Sequence, residues 1–185
     1  KSKVRYSETD SRELLTIPAI ADYFQDSGTF QSEELGLGVK YLQKSHIAWV
    51  LSAWQIVIEE YPRLCDEIVI GTFPHSFKSF MGQRNYYMDR ADGKRMAYAN
   101  AVWTLLDMEK MLPAKVTDEM LEKCDLVFIC LYPRATVRFL AEHKNAFKSG
   151  SIVTDISGVK TLIAQKVFED GAKLLRDDVD FILGH

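Results

Sequence analysis

The sequence predicts an α+β chain in two parts: one long helix wrapped by a curved antiparallel sheet, then a run in which strands and helices alternate. Three observations carry this. A single helical stripe of apolar residues lies between Thr16 and Gly36, four strand-like runs follow one another after it, and from Asp125 the pattern switches to strand, helix, strand.

Thr16 is placed to cap the helix, Ile17, Ile20, Ala21, Phe24 and Leu35 share one face, and Gly36 stands where the chain can leave it. About 19 residues at ~1.5 Å each make a rod nearly 30 Å long. Gly28 interrupts the rod at a cost of about 1 kcal/mol relative to Ala. Either the helix approaches a sheet closely there or the glycine is simply tolerated. His46 to Glu59 is rich in Val, Ile and Trp and apolar on both alternating faces, which predicts a central strand covered on both sides. Asp66 to Phe73 reads as a second strand and Phe80 to Asp89 as a third, with Phe80, Tyr86 and Met88 on one face. Asp92-Gly93 then makes a tight hairpin into a fourth, Lys94 to Asp107. The second part reads as strand 125–132, helix 136–147, strand 151–156, helix 159–168 and strand 179–183, the pattern of parallel β-α-β units.

Composition narrows the function. A chain of 185 residues that is 47% hydrophobic can bury a real core. Its net charge of -3 gives no basic footprint for nucleic acid. Cys65, Cys124 and Cys130 are odd in number and lack zinc-ligand spacing, so reduced thiols and a cytoplasmic location are expected, with no metal. No apolar run approaches the ~20 residues that span a bilayer. The first residue is Lys1, which suggests trimming or a fragment.

Residues RYSETD (5–10), LTIPAIADYFQDSGTFQSEELGLG (15–38), WVLSAWQIVIEEYPRLCDEIVIGTFP (49–74) and AYANAVWTLLD (97–107) resemble the amino-terminal hotdog domain of bacterial acyl-acyl-carrier-protein thioesterases, over about residues 3–122. The resemblance implies a hotdog fold and hydrolysis of the thioester between a fatty acyl chain and the arm of acyl carrier protein, in fatty acid biosynthesis and without a cofactor. In that family the catalytic Asn, His and acidic or Cys residues sit in a second hotdog, in a motif of the type N-x-H-x-N-N. No such motif occurs in this sequence. Family analogy also implies a homodimer joined sheet edge to edge.

Thioester hydrolysis needs a carboxylate or other base and N–H donors near the carbonyl oxygen. Asp26, on the helix and just before Gly28, is the candidate base, or else a solvated or capping aspartate. Glu33 and Glu34 read as a charged helix end, and His46 and His75 as a strand entrance and a Pro-flanked bend. Phe24, Phe30, Trp49, Trp54, Tyr86, Tyr87 and Trp103 offer apolar surface where the helix meets the sheet, either as an acyl slot or as core. A non-catalytic acyl-binding module is the alternative of a different class.

From residue 123 to 185 the sequence DLVFICLYPRATVRFL, GSIVTDISGVK and VDFILGH resembles the nucleotide-binding domain of prephenate dehydrogenase, which uses NAD(P). That resemblance implies cofactor contacts at Tyr132, Pro133, Asp155 and Ser157 and a catalytic role for His185, with Lys160 in the same block. Ser157-Gly158 reverses the family's Gly-Ser order. A dinucleotide also needs its pyrophosphate held at a first, glycine-rich β-α turn. Gly36-Leu37-Gly38 is the only G-x-G, and a helix precedes it instead of following it, so it is no such loop. The two resemblances meet near residues 120–124, which implies a chimera of a 1–122 domain and a partial 123–185 domain that does not bind NAD(P).

Overall fold

The computed structural model describes residues 1–78, 80–169 and 174–184. They form two compact units, Lys1–Lys115 and Val116–His185.

In the first unit, β1 (Ser2–Lys3) and a 3-10 turn (Tyr6–Glu8) lead into α1 (Ile17–Glu34), followed by α2 (Val39–Lys44). Strands β2 (Ile47–Ile58), β3 (Glu67–Lys78), β4 (Met81–Arg90), β5 (Arg95–Asp107) and β6 (Leu112–Pro113) complete it. The strands form one antiparallel sheet in the order β1-β3-β4-β5-β2, with β6 against β5. The limits of α1 follow from its sequence. The Thr16 hydroxyl accepts the Ala19 N–H at 3.3 Å, Pro18 sits in the first turn where its missing N–H costs nothing, and Gly36 leaves with φ +73°. The helix α2 is one the sequence pattern did not predict. Glu33 makes it possible, because its carboxylate accepts the Val39 N–H at 2.8 Å.

Helix α1 buries Ala19, Ile20, Phe24 and Gly28. Ile20, Phe24 and Gly28 are spaced four apart and so form one stripe. That stripe packs against the sheet face carrying Ile68, Tyr86, Met88, Ala97, Ala99 and Ala101. Ile20, Phe24, Ile68 and Met88 are fully buried, and each contributes about 1.5–3 kcal/mol by leaving water. The Asp92-Gly93 turn forms as expected: Gly93 has φ +88°, Arg90 and Lys94 are hydrogen-bonded across it, and the Asp92 carboxylate accepts the Lys94 N–H at 3.1 Å.

Two expectations about the strands are corrected. The run from His46 to Glu59 is the edge strand β2, not a central one, and Val50 to Ala53 are exposed. Its double-sided apolar pattern comes from Trp49, Leu51, Trp54, Ile56 and Ile58 facing one way, with Val50 and Val57 facing the other across a bulge between Leu51 and Ala53. β3 runs on to Lys78, five residues past Phe73, because a bulge between Pro74 and Ser76 absorbs the proline. His75 is therefore the bulged residue of a strand.

In the second unit, α3 (Asp118–Leu121), β7 (Leu126–Ile129), α4 (Pro133–Glu142), β8 (Ile152–Asp155), α5 (Thr161–Ala164), a π-helical turn (Gln165–Glu169) and β9 (Asp180–Leu183) follow in order. The three strands form a parallel sheet β7-β8-β9. Its core gathers Leu121, Ile129, Leu140, Phe147, Val153 and Val179. The helix expected over 136–147 begins at Pro133 and ends at Glu142, because proline fits the first helical turn. Phe147 lies beyond the helix as a buried plug. The helix expected over 159–168 is only Thr161–Ala164 before the π-helical turn. Arg176 ties the end of the α4–β8 connection down, donating to the carbonyls of Asn145 (2.8 Å) and Phe147 (2.7 Å) and to Asp178 (2.9 Å).

Two measurements check these packings. A Cβ at Gly28 would stand 3.1 Å from the Tyr86 hydroxyl, so Gly28→Ala sets about 1 kcal/mol of helix propensity against a crowded neighbour and is expected near neutral in urea unfolding. Gly28→Val overpacks the same spot and is expected to lose about 2 kcal/mol. The hydrogen bonds from Arg176 and Ser149 hold the Asp178 carboxyl at about 2, below its ordinary 3.8. A depressed carboxyl stabilises the fold above its ordinary value and loses that contribution as pH falls towards 2. Acid titration of the second unit's unfolding is expected to show this loss in the wild type and not in Asp178→Asn.

Candidate functional site

The most built feature of the first unit is the seam between α1 and the sheet. Phe24 reaches down from the middle of α1 to the ring of Tyr86 on β4 (centroids 5.5 Å apart) and that of Trp54 on β2 (6.4 Å), and the latter two stand 5.8 Å apart. Ala97, Ala99 and Ala101 on β5 are buried beside them. Three methyl-sized side chains in one register leave the room that three large rings occupy. Gly28 brings the helix backbone directly over Tyr86, and its nearest neighbours are the Tyr86 hydroxyl and the Arg84 side chain. Close approach, not mere tolerance, explains that glycine.

The seam also carries polar groups. Among the described residues the indole N–H groups of Trp54 and Trp103 are buried without hydrogen-bond partners, although Trp103 lies near the Tyr86 phenol. Burial pushes the Tyr86 hydroxyl pKa up, with the Arg84 guanidinium opposing it. Arg84 itself is half-buried, and burial lowers its pKa. It donates to the Thr72 hydroxyl at 3.2 Å and to the Gln31 side chain, and among the described residues no carboxylate pairs with it. Sequence reading missed Arg84. The signal was present, because Arg84, Tyr86 and Met88 alternate along β4 and must share the face under α1.

A second network holds α1 to the start of the chain. The Glu8 carboxylate accepts the Arg5 N–H (2.9 Å), the Arg5 guanidinium (2.7 Å) and the Tyr23 hydroxyl (2.7 Å). Burial alone would raise its pKa, but these donors outweigh burial and keep it below the ordinary carboxylate value. The RYSETD block thus positions the helix.

The other candidate residues fall elsewhere. Asp26 is exposed on α1. It stands two residues from both Phe24 and Gly28, roughly 200° around the helix, and so points away from the seam. Phe30 is 62% exposed. Trp49 packs edge-on against Phe77 (5.5 Å) near Gly82, a separate aromatic pair. Tyr87 lies on the opposite face of the sheet under the Arg95 guanidinium, 4.8 Å from its ring centre. His46 has φ +52° and approaches Glu109 at 3.5 Å. His75 shares a hydrogen bond with Asn100 at 3.0 Å, also on the far face.

In the second unit, Tyr132 is 87% exposed and Pro133 opens α4. Asp155 is fully buried at the end of β8, where it accepts the Ser157 N–H (2.9 Å) and the Lys160 ammonium (2.8 Å), while its Oδ1 has no partner among the described residues. The Ser157 hydroxyl turns to the Val159 carbonyl at 3.3 Å. His185 lies outside the described residues. Neither side of β7 offers a glycine cradle for a pyrophosphate. The β7–α4 turn, Cys130 to Pro133, has no glycine, and proline at the helix start removes a donor the pyrophosphate needs. Residues 108–125 ahead of β7 contain no glycine either. Among the described residues no cluster of His, Cys, Asp or Glu is arranged to hold a metal, the three cysteines are free, and no helix is long and apolar enough to cross a membrane.

The family model for the acyl-ACP thioesterase N-terminal domain matches residues 1–124. The chain belongs to that family. Solved thioesterases share its fold. A protein described as an oleoyl thioesterase from Lactobacillus plantarum is 22% identical with a TM-score of 0.63, over 66% of this chain and 48% of that one. An acyl-ACP thioesterase from Bacteroides thetaiotaomicron is 23% identical with a TM-score of 0.59, over 62% and 47%. A 1,4-dihydroxy-2-naphthoyl-CoA thioesterase from Synechocystis is 10% identical with a TM-score of 0.61, over 66% and 90%. The chain spans about half the length of the first two, and the likeness is to the hotdog thioesterase fold of the acyl-ACP thioesterase domain. A second family model, for the nucleotide-binding domain of prephenate dehydrogenase, matches residues 108–185. No curated protein matches the sequence.

Proposed function

We propose that the first unit is the acyl-accommodating hotdog of a thioester hydrolase acting on fatty acyl-acyl-carrier protein in fatty acid biosynthesis. The family match over residues 1–124 carries this reading. The seam supports it chemically: an acyl chain is an apolar rod, and the alanine row under Phe24 is where one could lie if the rings of Trp54 and Tyr86 turned aside. The unpartnered indole N–H groups of Trp54 and Trp103 would meet the carbonyl end of a short acyl group or a water held with it. Hydrolysis would need the base and oxyanion donors that the family keeps in a second hotdog. Asp26 could take part only from a surface that such a domain covers.

Acyl-carrier protein loaded with chains of graded length is expected to bind the 185-residue chain saturably and change its tryptophan fluorescence, with turnover slow or nil. Ala99→Leu, which fills the alanine row, is expected to weaken that binding about tenfold while Asp26→Asn leaves it unchanged. Absence of saturable binding at every chain length would refute the proposal. Binding without any product assigns the chain to the non-catalytic acyl-binding class, and turnover abolished by Asp26→Asn assigns the base.

The match over residues 108–185 and the parallel sheet β7-β8-β9 favour a second reading for the second unit alone, a partial nucleotide-binding domain of prephenate dehydrogenase type. Titration calorimetry with NAD and NADP is expected to show no heat of binding, and a measurable dissociation constant for either would reverse the reading of the glycine-free β7–α4 turn.

A further inference from the structure

The polar groups gathered around Ala101 are donors in excess. In register across the sheet, Arg84 on β4, Ala101 on β5 and Trp54 on β2 form one row, with Gly82 and Trp103 in the next. Ala101 is fully buried, and above it the backbone of α1 comes down at Gly28, where a Cβ would stand 3.1 Å from the Tyr86 hydroxyl and 3.6 Å from Cδ of Arg84. A methyl floor and a glycine roof leave the rings and the guanidinium as walls. Among the described residues the indole N–H groups of Trp54 and Trp103 have no partner, and of the four wall side chains the Tyr86 phenol alone can accept a hydrogen bond.

Arg84 is oriented through one of its three nitrogens. Nη1 donates to the Gln31 side chain and to the Thr72 hydroxyl at 3.2 Å, which uses both of its hydrogens. Nε and Nη2 have no partner among the described residues, and neither is sealed from water as the two indole nitrogens are. That free edge is the fork that takes both oxygens of a carboxylate at once. Burial lowers the Arg84 pKa, and no carboxylate among the described residues offsets the cost of desolvating its charge. An anion arriving at the edge would offset it.

We infer that the free Nε–Nη2 edge of Arg84 binds the carboxylate of an unesterified fatty acid whose tail lies in the seam between α1 and the sheet. The inference rests on the seam being the acyl slot proposed above and adds what stands at its polar end. A thioester carbonyl is neutral and offers one oxygen to these donors. A free carboxylate offers two oxygens and a full negative charge, which match the fork and its uncompensated cation. The group left by thioester hydrolysis therefore fits this end of the seam better than the group that enters it. Free acid and acyl-carrier protein compete for the same slot, and accumulated acid slows loading.

Titration calorimetry of the full chain with octanoate, octanol and acetate, at about pH 8 where the acids are ionised, tests this. Octanoate is expected to bind saturably, octanol at least about tenfold more weakly, and acetate not measurably. Arg84→Gln is expected to weaken octanoate at least about tenfold and leave octanol unchanged, and Arg84→Lys to restore part of the loss. Gln31→Glu gives Arg84 a carboxylate of the protein's own. It is expected to weaken octanoate binding while the thermal midpoint holds or rises, a combination that a purely structural role for Arg84 would not give. Octanoate and octanol binding equally, both indifferent to Arg84→Gln, overturns the inference and leaves the acyl slot standing. Absence of octanoate binding overturns it as well, and failure of the slot itself is read separately from the acyl-carrier-protein titration.

Discussion

The contact between Gly28 and Tyr86 sets the geometry of the first unit. A side chain larger than a methyl group at residue 28 would press the helix off the sheet, at the place where Phe24, one turn earlier, reaches both Tyr86 and Trp54. The alanines of β5 belong to the same constraint, since larger residues at 97, 99 or 101 would occupy the space of the rings. Close approach of the helix and small residues in the strand are thus two halves of one fit. Arg84 shows its cost: a guanidinium is drawn partly out of water beside the glycine and satisfied by an amide and a hydroxyl instead of an acid.

The two units differ in strand topology. The first is a sheet whose partners are consecutive in sequence except β2, which must travel from before β3 to pair with β5. The second is made of short parallel strands that cannot pair without the intervening α4 and α5 connections. Its ends are fastened by individual polar ties, Arg176 to two carbonyls and Lys160 to Asp155, as the Glu8 carboxylate ties α1 to the chain start in the first unit. The buried Lys160–Asp155 pair holds the loop after β8.

Much of this was legible in the residues. Thr16 and Gly36 bound α1 because capping and a positive φ are local properties, and Asp92-Gly93 marks its turn for the same reason. The edge position of β2 was not legible, because strand order depends on a pairing with residues 97–107 that no local pattern encodes. Pro74 hid the continuation of β3, since a bulge is a tertiary accommodation. The direction of Asp26 could have been read. Once Ile20, Phe24 and Gly28 are taken as the buried stripe, residue 26 must lie on the far side. The seam aromatics divide on the same principle, with Phe24, Trp54, Tyr86 and Trp103 facing inward together while Phe30 and Trp49 fall outside their cluster.

The bulge in β2 bears on what the open edge of the sheet can do. Val50 to Ala53 pair with β5 on one side and on the other present an uncharged edge without lysine or proline, where a further strand can add. The register shift between Leu51 and Ala53 falls in the middle of that stretch, with the Ser52 hydroxyl turned back to Thr104 at 2.6 Å. A foreign strand laid along this edge would lose step halfway, so the bulge blunts the edge where no charge does.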